Sequence, residues 1–199
     1  MVVGFMSYEN IYIYPTDTVW GMGASIYLKK AQEQIAEIKK TSGQKPLSMM
    51  FYDLDDVKTS FHLPGFMDKT WLQDFFSLET TLAVDMSRAK IEIPSWINHG
   101  GSLVAFRCVS NNALKYIMAK VHAPITTTSL NQTASPPITN KKEALAFCLK
   151  YCKSAQFIED DNQILSGRSS TFVQFHDLHK FSILRKGALS DRVERYLGL

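Results

Sequence analysis

Five polar segments hold the side chains that could do chemistry in this chain of 199 residues. They offer hydroxyl, amide, lysine and arginine donors, and none of them places a nucleophile beside a recognisable base. Such donors bind phosphate and carboxylate groups and stabilise negative charge in a transition state. The pattern therefore predicts a site for small anionic substrates. The segments are 15–23, 39–47, 126–133, 167–171 and 183–187.

The first segment begins at Pro15, directly after the β-branched and aromatic run 11–14. It could be a loop that binds a small polar ligand. It could equally be a turn after a strand, in which the threonines and the aspartate bond backbone N–H groups and the glycines supply positive φ. Neither GxGxxG nor GxxxxGK is present, so no dinucleotide or P-loop site is indicated. The polar residues and glycines are Thr16, Asp17, Thr18, Gly21 and Gly23.

The second and third segments carry lysines and amides. The lysines of 39–47 follow a helical pattern over 28–40, where cations can hold phosphates or simply complement the helix dipole in solvent. The segment 126–133 is a threonine-rich strand end, and its Ser129 and Asn131 can present an Oγ and a carboxamide together. Threonines there can also reflect β propensity alone. Both segments are therefore candidates for binding polar ligands.

Other chemistries have no support in the sequence. The three cysteines form no CxxC pair, the five histidines are scattered without HExxH spacing, and no GxSxG precedes a helix. A net charge of +3 fits an anion in a local basic cleft without requiring a nucleic-acid or membrane partner. The N-terminus lacks a basic, apolar leader, and no segment has roughly 20 consecutive apolar residues. The sequence thus predicts a cytoplasmic protein with no membrane partner and no protein-bound metal.

Strand and helix patterns alternate without repeats, low-complexity tracts or a break in composition. We therefore expect an α/β fold, with one domain over 1–199 and a twisted mixed sheet carrying flanking helices. Helices are predicted at 28–40, 114–121, 140–152 and 190–199. Strands are predicted at 11–14, 46–51, 80–86, 102–107, 125–129, 170–175 and 181–184. The apolar stripe expected to face the core from 140–152 is Leu145, Cys148, Leu149 and Cys152.

Taken in order, these segments resemble the YrdC-type threonylcarbamoyl-AMP synthase family. Its members carry Pro-Thr-Asp/Glu-Thr-x-Tyr-Gly-Leu, Lys-x-Arg before Lys-Pro-Leu, Thr-Ser-x-Asn, Ser-Thr-Val and Leu-Arg-x-Gly. The match spans nearly the whole chain, and five motifs in order are more specific than any one of them. Trp20 replaces the tyrosine of the first motif, and Leu130 lies at x of the turn, where alanine is usual. The matching segments are 15–21, 45–47, 128–131, 170–172 and 184–187.

The resemblance implies a YrdC-like fold with a concave basic cleft. It implies an enzyme that joins L-threonine, bicarbonate or CO2, and ATP into threonylcarbamoyl-AMP and releases pyrophosphate, with Mg²⁺ accompanying ATP. Other proteins would use the product for threonylcarbamoyladenosine formation on tRNA, so tRNA and tRNA-modification proteins are candidate partners. Asp17 is expected to be structural rather than a general base.

The resemblance also assigns residues to the substrates. Lys39, Ser129 and Asn131 are the catalytic candidates. Threonine is expected to bind at Thr16, Thr18, Arg107 and Ser170. The nucleotide is expected to bind at Lys39, Thr41, Ser129, Asn131 and Arg185.

The chain departs from the family pattern at Thr41, where alignment on the Lys-Pro-Leu motif places the family's arginine. The missing guanidinium would hold phosphate oxygens, and Lys40, Arg88 or Arg168 could supply the positive charge instead. Three functions therefore remain open. The chain could be an active synthase, a YrdC-like nucleotide- or RNA-binding protein that has lost catalysis, or a carbamoyl transferase that acts on another amino acid.

Overall fold

The computed structural model describes residues 7–42, 45–177 and 179–199. The expectation about the N-terminal segment falls largely on residues 1–6, which lie outside the described residues. The same holds for Gly43 and Gln44 in the polar turn after the first helix. The strands are β1 (Tyr12–Pro15), β2 (Trp20–Gly23), β3 (Ser48–Phe51), β4 (Thr80–Asp85), β5 (Leu103–Cys108), β6 (Ile125–Ser129), β7 (Gln156–Phe157), β8 (Thr171–Asp177) and β9 (Lys180–Arg185). The helices are α1 (Lys29–Lys39), α2 (Leu54–Ser60), α3 (Lys69–Ser77), α4 (Ser95–Asn98), α5 (Asn112–Val121), α6 (Lys141–Tyr151) and α7 (Ser190–Leu197), with a short 3-10 helix at Met86–Arg88.

The strands form one sheet in the order β7-β1-β2-β6-β3-β5-β4-β8-β9. The pairs β1/β7, β3/β5 and β4/β8 are parallel, and the other neighbours are antiparallel. The prediction of a mixed α/β fold with a sheet and flanking helices is therefore confirmed. Since β6 lies between β2 and β3, the threonine-rich strand is next to both the first polar segment and the Lys-Pro-Leu segment.

The segment 20–23 is a strand, β2, although the sequence suggested a turn there. It pairs with β1 on one side and β6 on the other, and Trp20 and Met22 are buried. Neither Gly21 nor Gly23 has positive φ, so the interpretation in which these glycines supply positive φ to a turn is wrong. The second glycine instead permits close packing, because a Cβ on Gly23 would lie 1.8 Å from the Thr126 carbonyl oxygen. Two of the four residues are glycines, which are uncommon in strands, so the sequence pattern did not indicate a strand here.

Helices α2 and α3 lie in segments that the sequence patterns left unassigned. Both begin at aspartate caps, since Asp53 accepts a hydrogen bond from the Asp55 N–H and Asp68 accepts one from the Trp71 N–H. Each cap satisfies one of the free N–H groups of the first turn. These short helices are therefore fixed by capping and by packing on the sheet rather than by a long amphipathic repeat.

Helix α6 turns a different face to the core from the one predicted. Leu145 and Leu149 are 41% and 56% exposed, so the prediction for these two leucines is wrong. Each follows a buried residue by one position, which moves it about 100° around the helix. The stripe that faces the core therefore begins one residue earlier than expected. The buried residues at this helix are Ala144, Phe147, Cys148 and Cys152, the last two as predicted.

Three clusters of buried side chains hold the helices against the sheet. The largest is rich in aromatic residues and joins α2, α3 and α7 to strands β3, β4, β5 and β8. A second joins α1 and α6 to β1 and β2, and the third packs α5 on β1. Within the three described ranges, every helix is too short or too polar to cross a bilayer.

Candidate functional site

An open cleft of about 1130 Å³ is lined by one face of α1, by parts of β2, β3, β5 and β6, by α4, and by residues just before β8 and at the end of β9. Every residue that the sequence predicted for the site lies along this cleft. The roles assigned to the individual residues stay predictions. The structure brings together Thr16, Thr18, Lys39, Thr41, Arg107, Ser129, Asn131, Ser170 and Arg185.

The threonine hydroxyls after β1 are buried and bonded to each other. The Thr16 and Thr18 Oγ atoms are 2.9 Å apart, and Thr16 donates its proton to the Val19 carbonyl oxygen at 2.7 Å. Thr16 Oγ also accepts the Thr18 and Val19 N–H groups at 3.2 Å. The Thr16 hydroxyl is therefore committed within its own loop, and Thr18 has more capacity left for a ligand.

Asp17 and Arg107 form a partly buried ion pair in which one guanidinium nitrogen contacts both carboxylate oxygens. Arg107 Nη2 lies 2.7 and 2.9 Å from the two carboxylate oxygens, and Nη1 donates to Thr18 Oγ1 at 3.0 Å. The guanidinium side chain is 6% exposed and the carboxylate side chain 25% exposed. Arg107 Nε is buried and has no partner among the described residues. A buried N–H without a partner is costly, so the guanidinium keeps one unsatisfied donor within the described residues.

Ser170 and Arg185 lie in direct contact, although the sequence assigned them to different substrates. Arg185 Nη2 donates to the Ser170 carbonyl oxygen at 3.0 Å and to its Oγ at 3.1 Å, and Ser170 Oγ is 2.7 Å from Thr81 Oγ1. Gly187 brings the two segments together, because a Cβ there would lie 2.6 Å from the Ser169 carbonyl oxygen. The two predicted sets of substrate-binding residues therefore meet at Ser170.

Lys39 lies at the end of α1 and reaches the turn after β6. Its Nζ donates to the Ser129 carbonyl oxygen at 2.6 Å and to the Asn131 carbonyl oxygen and Oδ1, both at 2.9 Å. Ser129 Oγ donates to the same Oδ1 at 2.7 Å. Burial, and to a lesser degree the charge of Lys45, lowers the pKa of Lys39 to about 8. The predicted catalytic candidates thus form one hydrogen-bonded cluster.

Thr41 borders the cleft, and the cations expected to replace the family's arginine lie elsewhere. Lys40 caps α1, Arg88 lies 4.9 Å above the Phe175 ring centre, and Arg168 is exposed outside the described lining of the cleft. The cation that does line this part of the cleft is Lys45, which belongs to the Lys-Pro-Leu motif. Sequence reasoning had noticed that motif without assigning a role to its lysine.

The end of the cleft near the start of α1 has a different character. Trp96 donates its indole N–H to the Ile26 carbonyl oxygen at 3.0 Å, which fixes the ring, and His99 follows it at the end of α4. Lys29 and Glu33 form an exposed ion pair at 3.7 Å. Sequence reasoning missed these residues, because no motif marks them. This aromatic end is close to neutral, whereas the end around Arg107, Lys39 and Lys45 is basic.

No group of three or more metal-ligating side chains occurs among residues 7–42, 45–177 and 179–199. In the described lining of the cleft, Glu33 is the carboxylate, and it is paired with Lys29. Proteins that handle Mg²⁺ with nucleotides often leave most of its coordination to phosphates and water. The described lining of the cleft therefore offers few of the carboxylate oxygens that a protein-bound metal ion would use.

Residues 5–187 match the model of the Sua5/YciO/YrdC family, whose description is "Telomere recombination". The chain is 23% identical over 129 residues to the threonylcarbamoyl-AMP synthase of Marinobacter nauticus, covering 64% of this chain and 66% of that protein. It is 24% identical over 154 residues to the threonylcarbamoyl-AMP synthase of Psychrobacter arcticus, covering 69% and 72%.

Solved structures share the fold. Sua5 of P. abyssi in complex with L-threonine has a TM-score of 0.78 at 20% identity, over 95% of this chain. The present chain spans 54% of that protein, or about half its length. YciO of E. coli has a TM-score of 0.72 at 19% identity, over 93% of this chain and 86% of that one.

The fold and the cleft define a YrdC-like α/β protein. Because the family model covers most of the sequence, the chain belongs to the Sua5/YciO/YrdC family. The resemblance drawn from the ordered motifs is confirmed at this level.

Proposed function

We propose that this protein is a threonylcarbamoyl-AMP synthase, which forms threonylcarbamoyl-AMP and pyrophosphate from L-threonine, bicarbonate or CO2, and ATP. The observation that carries the proposal is the convergence of all the predicted site residues on one cleft. The names of the curated relatives support the same activity. A cytoplasmic location and delivery of the product to tRNA-modification proteins belong to this proposal.

The reaction requires positioning and charge stabilisation more than covalent catalysis. The amine of threonine and CO2 give a carbamate, with loss of one proton. A carbamate oxygen then attacks the α-phosphorus of ATP, and the bond to the β-phosphate oxygen breaks to release pyrophosphate. Such phosphoryl chemistry depends on bringing small reactants together and on offsetting phosphate charge. The hydroxyl, amide and cationic donors of the cleft suit both tasks.

The part of the cleft around Arg107 suits the threonine. The guanidinium of Arg107 lines the cleft and would attract the threonine carboxylate, while Asp17 holds it in place. Thr18 and Ser170 line the same cleft and would bind the amino acid's polar groups. This role for Asp17 is positional, in keeping with the expectation that it is not a general base.

The remaining length of the cleft suits the nucleotide. The cluster of Lys39, Ser129 and Asn131 would lie at its phosphates, near Lys45. From Lys39 back to Lys29, α1 rises about 15 Å, which is the length of a nucleotide. The neutral aromatic end at Trp96 could therefore take the base. Mg²⁺ would arrive bound to the ATP phosphates.

A pyrophosphate-release assay tests the proposal. Protein incubated with ATP, Mg²⁺, bicarbonate and L-threonine should release pyrophosphate only when threonine is present. Replacing Arg107 by Met should lower kcat/KM for threonine by roughly 10- to 100-fold, because a hydrogen bond to a charged group is lost. Arg192→Met, which removes an exposed guanidinium on α7, is the matched control. A wild-type protein that releases no threonine-dependent pyrophosphate at high enzyme concentration would contradict the proposal.

Thr41 favours one alternative, a YrdC-like protein that binds nucleotide or RNA without catalysis. Such a protein would bind ATP in calorimetry but release no pyrophosphate with any amino acid. Binding to tRNA that is tighter than binding to ATP and is lost at high salt would point to RNA as its ligand. Release with an amino acid other than threonine would instead indicate a carbamoyl transferase of different specificity.

A further inference from the structure

Lys39 and the turn after β6 are joined by five hydrogen bonds. Three run from Lys39 Nζ to the Ser129 carbonyl oxygen and to two oxygens of Asn131. Two run back, because the Lys39 carbonyl oxygen accepts the Thr133 N–H at 2.9 Å and the Thr133 hydroxyl at 2.8 Å. The end of α1 and the turn 129–133 are therefore fixed to each other from both sides.

The three bonds made by Lys39 Nζ use its whole donor capacity. A lysine ammonium has three N–H groups and no acceptor. Here three protein oxygens lie within 2.9 Å of the Nζ atom, one for each proton. Asn131 is also occupied, since its Oδ1 accepts from Ser129 Oγ and its Nδ2 donates to the Ser135 carbonyl oxygen. Lys39 thus has no proton left for a phosphate unless this cluster comes apart.

Lys45 is in the opposite situation. Its side chain is exposed and lines the same part of the cleft, where its charge acts on Lys39. Among the described residues, no carboxylate or hydrogen-bond acceptor engages its ammonium group. Lys45 therefore has all three donors available for a ligand.

We propose that Lys39 is a positioning residue that holds the Ser129–Asn131 turn in place, and that Lys45 is the cation that touches the nucleotide phosphates. This inference rests on the proposed function, because it assumes a nucleotide in the cleft. It separates two lysines of one segment by what their ammonium groups are bonded to. Lys39 acts through the turn, and Lys45 acts through charge.

The two roles differ in how they depend on ligand charge. Without a phosphate contact from Lys45, the loss of affinity grows with each phosphate of the ligand. Without the positioning contacts of Lys39, the turn moves whichever ligand is bound. The affinity for each ligand then falls by the same factor. A series of adenosine, AMP, ADP and ATP therefore distinguishes a lysine that touches phosphate from one that does not.

Calorimetric titration of wild type, Lys39→Met and Lys45→Met with these four ligands tests the proposal. Lys45→Met should leave adenosine binding unchanged and weaken ATP binding by roughly 10- to 100-fold, as expected for loss of a charged hydrogen bond. Lys39→Met should weaken all four ligands by a similar factor. Lys39→Arg should not rescue it, because a planar guanidinium does not reproduce three converging contacts. Lys30→Met, an exposed change on the same helix outside the cleft lining, is the control.

A loss for Lys39→Met that grows from adenosine to ATP, or rescue by Lys39→Arg, would overturn the proposal. Thr133→Val offers a second route if Lys39→Met does not fold, since it removes one exposed contact to Lys39 and should produce a smaller, charge-independent loss. A loss for this variant that grows with phosphate number would also count against the proposal.

Wild-type protein that binds these nucleotides but releases no pyrophosphate would refute only the proposed synthase activity. Wild-type protein that binds none of them would refute both.

Discussion

At the scale of single residues, Thr41 stands where the resemblance drawn from the motifs expects an arginine. It is half-buried at the edge of the cleft, between Lys39 and Lys45 in sequence. Thr41→Arg would add a guanidinium beside the proposed phosphate position, so we expect ATP to bind several-fold more tightly, with the gain limited by repulsion from the two lysines. Calorimetry with ATP measures the change, and Thr41→Val is the uncharged control of similar shape. Unchanged or weaker ATP binding in Thr41→Arg would contradict this expectation.

The lowered pKa of Lys39 predicts opposite pH effects on binding and on stability. Above the value of about 8 the Nζ loses a proton and cannot satisfy three acceptors, so ATP affinity should fall as pH rises through that range. The ordinary pKa of 10.5 is higher, so between these values the unfolded chain holds this proton more tightly than the folded one. The cost of holding the Lys39 charge in the folded protein should therefore be fully present below this window, and the free energy of unfolding should rise with pH through it.

Urea unfolding between about pH 7 and about pH 10.5, and ATP titration between about pH 7 and about pH 9, check the two directions. Lys39→Met should remove the pH step in each measurement. The charged group that acts on Lys39 is Lys45, and the turn contributes only neutral groups, so Lys45→Met should shift the step to higher pH. If Lys39→Met shows a pH step of unchanged size, the step belongs to another titrating group and the prediction is wrong.

At the scale of elements, the hairpin of β8 and β9 fixes Ser170 through Gly187. A Cβ at this glycine would lie 2.6 Å from the Ser169 carbonyl oxygen and 2.6 Å from the Thr171 nitrogen, and both are backbone atoms that cannot rotate away. Gly187→Ala should therefore lower the free energy of unfolding by about 1–3 kcal/mol and raise KM for threonine. Gly65→Ala is the matched control, because nothing lies within 4 Å of a Cβ there. Urea unfolding and threonine kinetics measure the two effects, and a neutral Gly187→Ala would contradict them.

Elements with a clear apolar stripe or a β-branched run were predictable from the sequence, and those without one were not. Helix α5 has a stripe with a period of 3.6 and β6 is rich in β-branched residues, whereas β7 has two residues and β2 is half glycine. The face of α6 was misjudged because residues 144–149 contain two overlapping apolar stripes, and only the sheet decides between them. Short elements owe their conformation to neighbours that lie far away in the chain.

At the scale of the whole molecule, the sheet order assembles the site. Strand β6 pairs with both β2 and β3, which places Ser129 opposite Gly21 and Thr127 opposite Ser48. The parallel pair of β3 and β5 then brings Met50 beside Arg107, whose side chain reaches back to the loop after β1. Residues from six segments of the chain meet in this way, although none of these pairings is visible in a local pattern.

The sequence by itself determined the family and a set of candidate site residues, because ordered motifs of hydroxyl, amide and cationic groups are specific when they occur together. Only the tertiary structure decided what those side chains contact. It bonded the Lys39 ammonium to the turn, left Lys45 without a partner among the described residues, paired Asp17 with Arg107 and placed Ser170 against Arg185. The physical reason is that residue type fixes what a group can bond, whereas the partner it does bond depends on distances set by strand pairing across the whole chain.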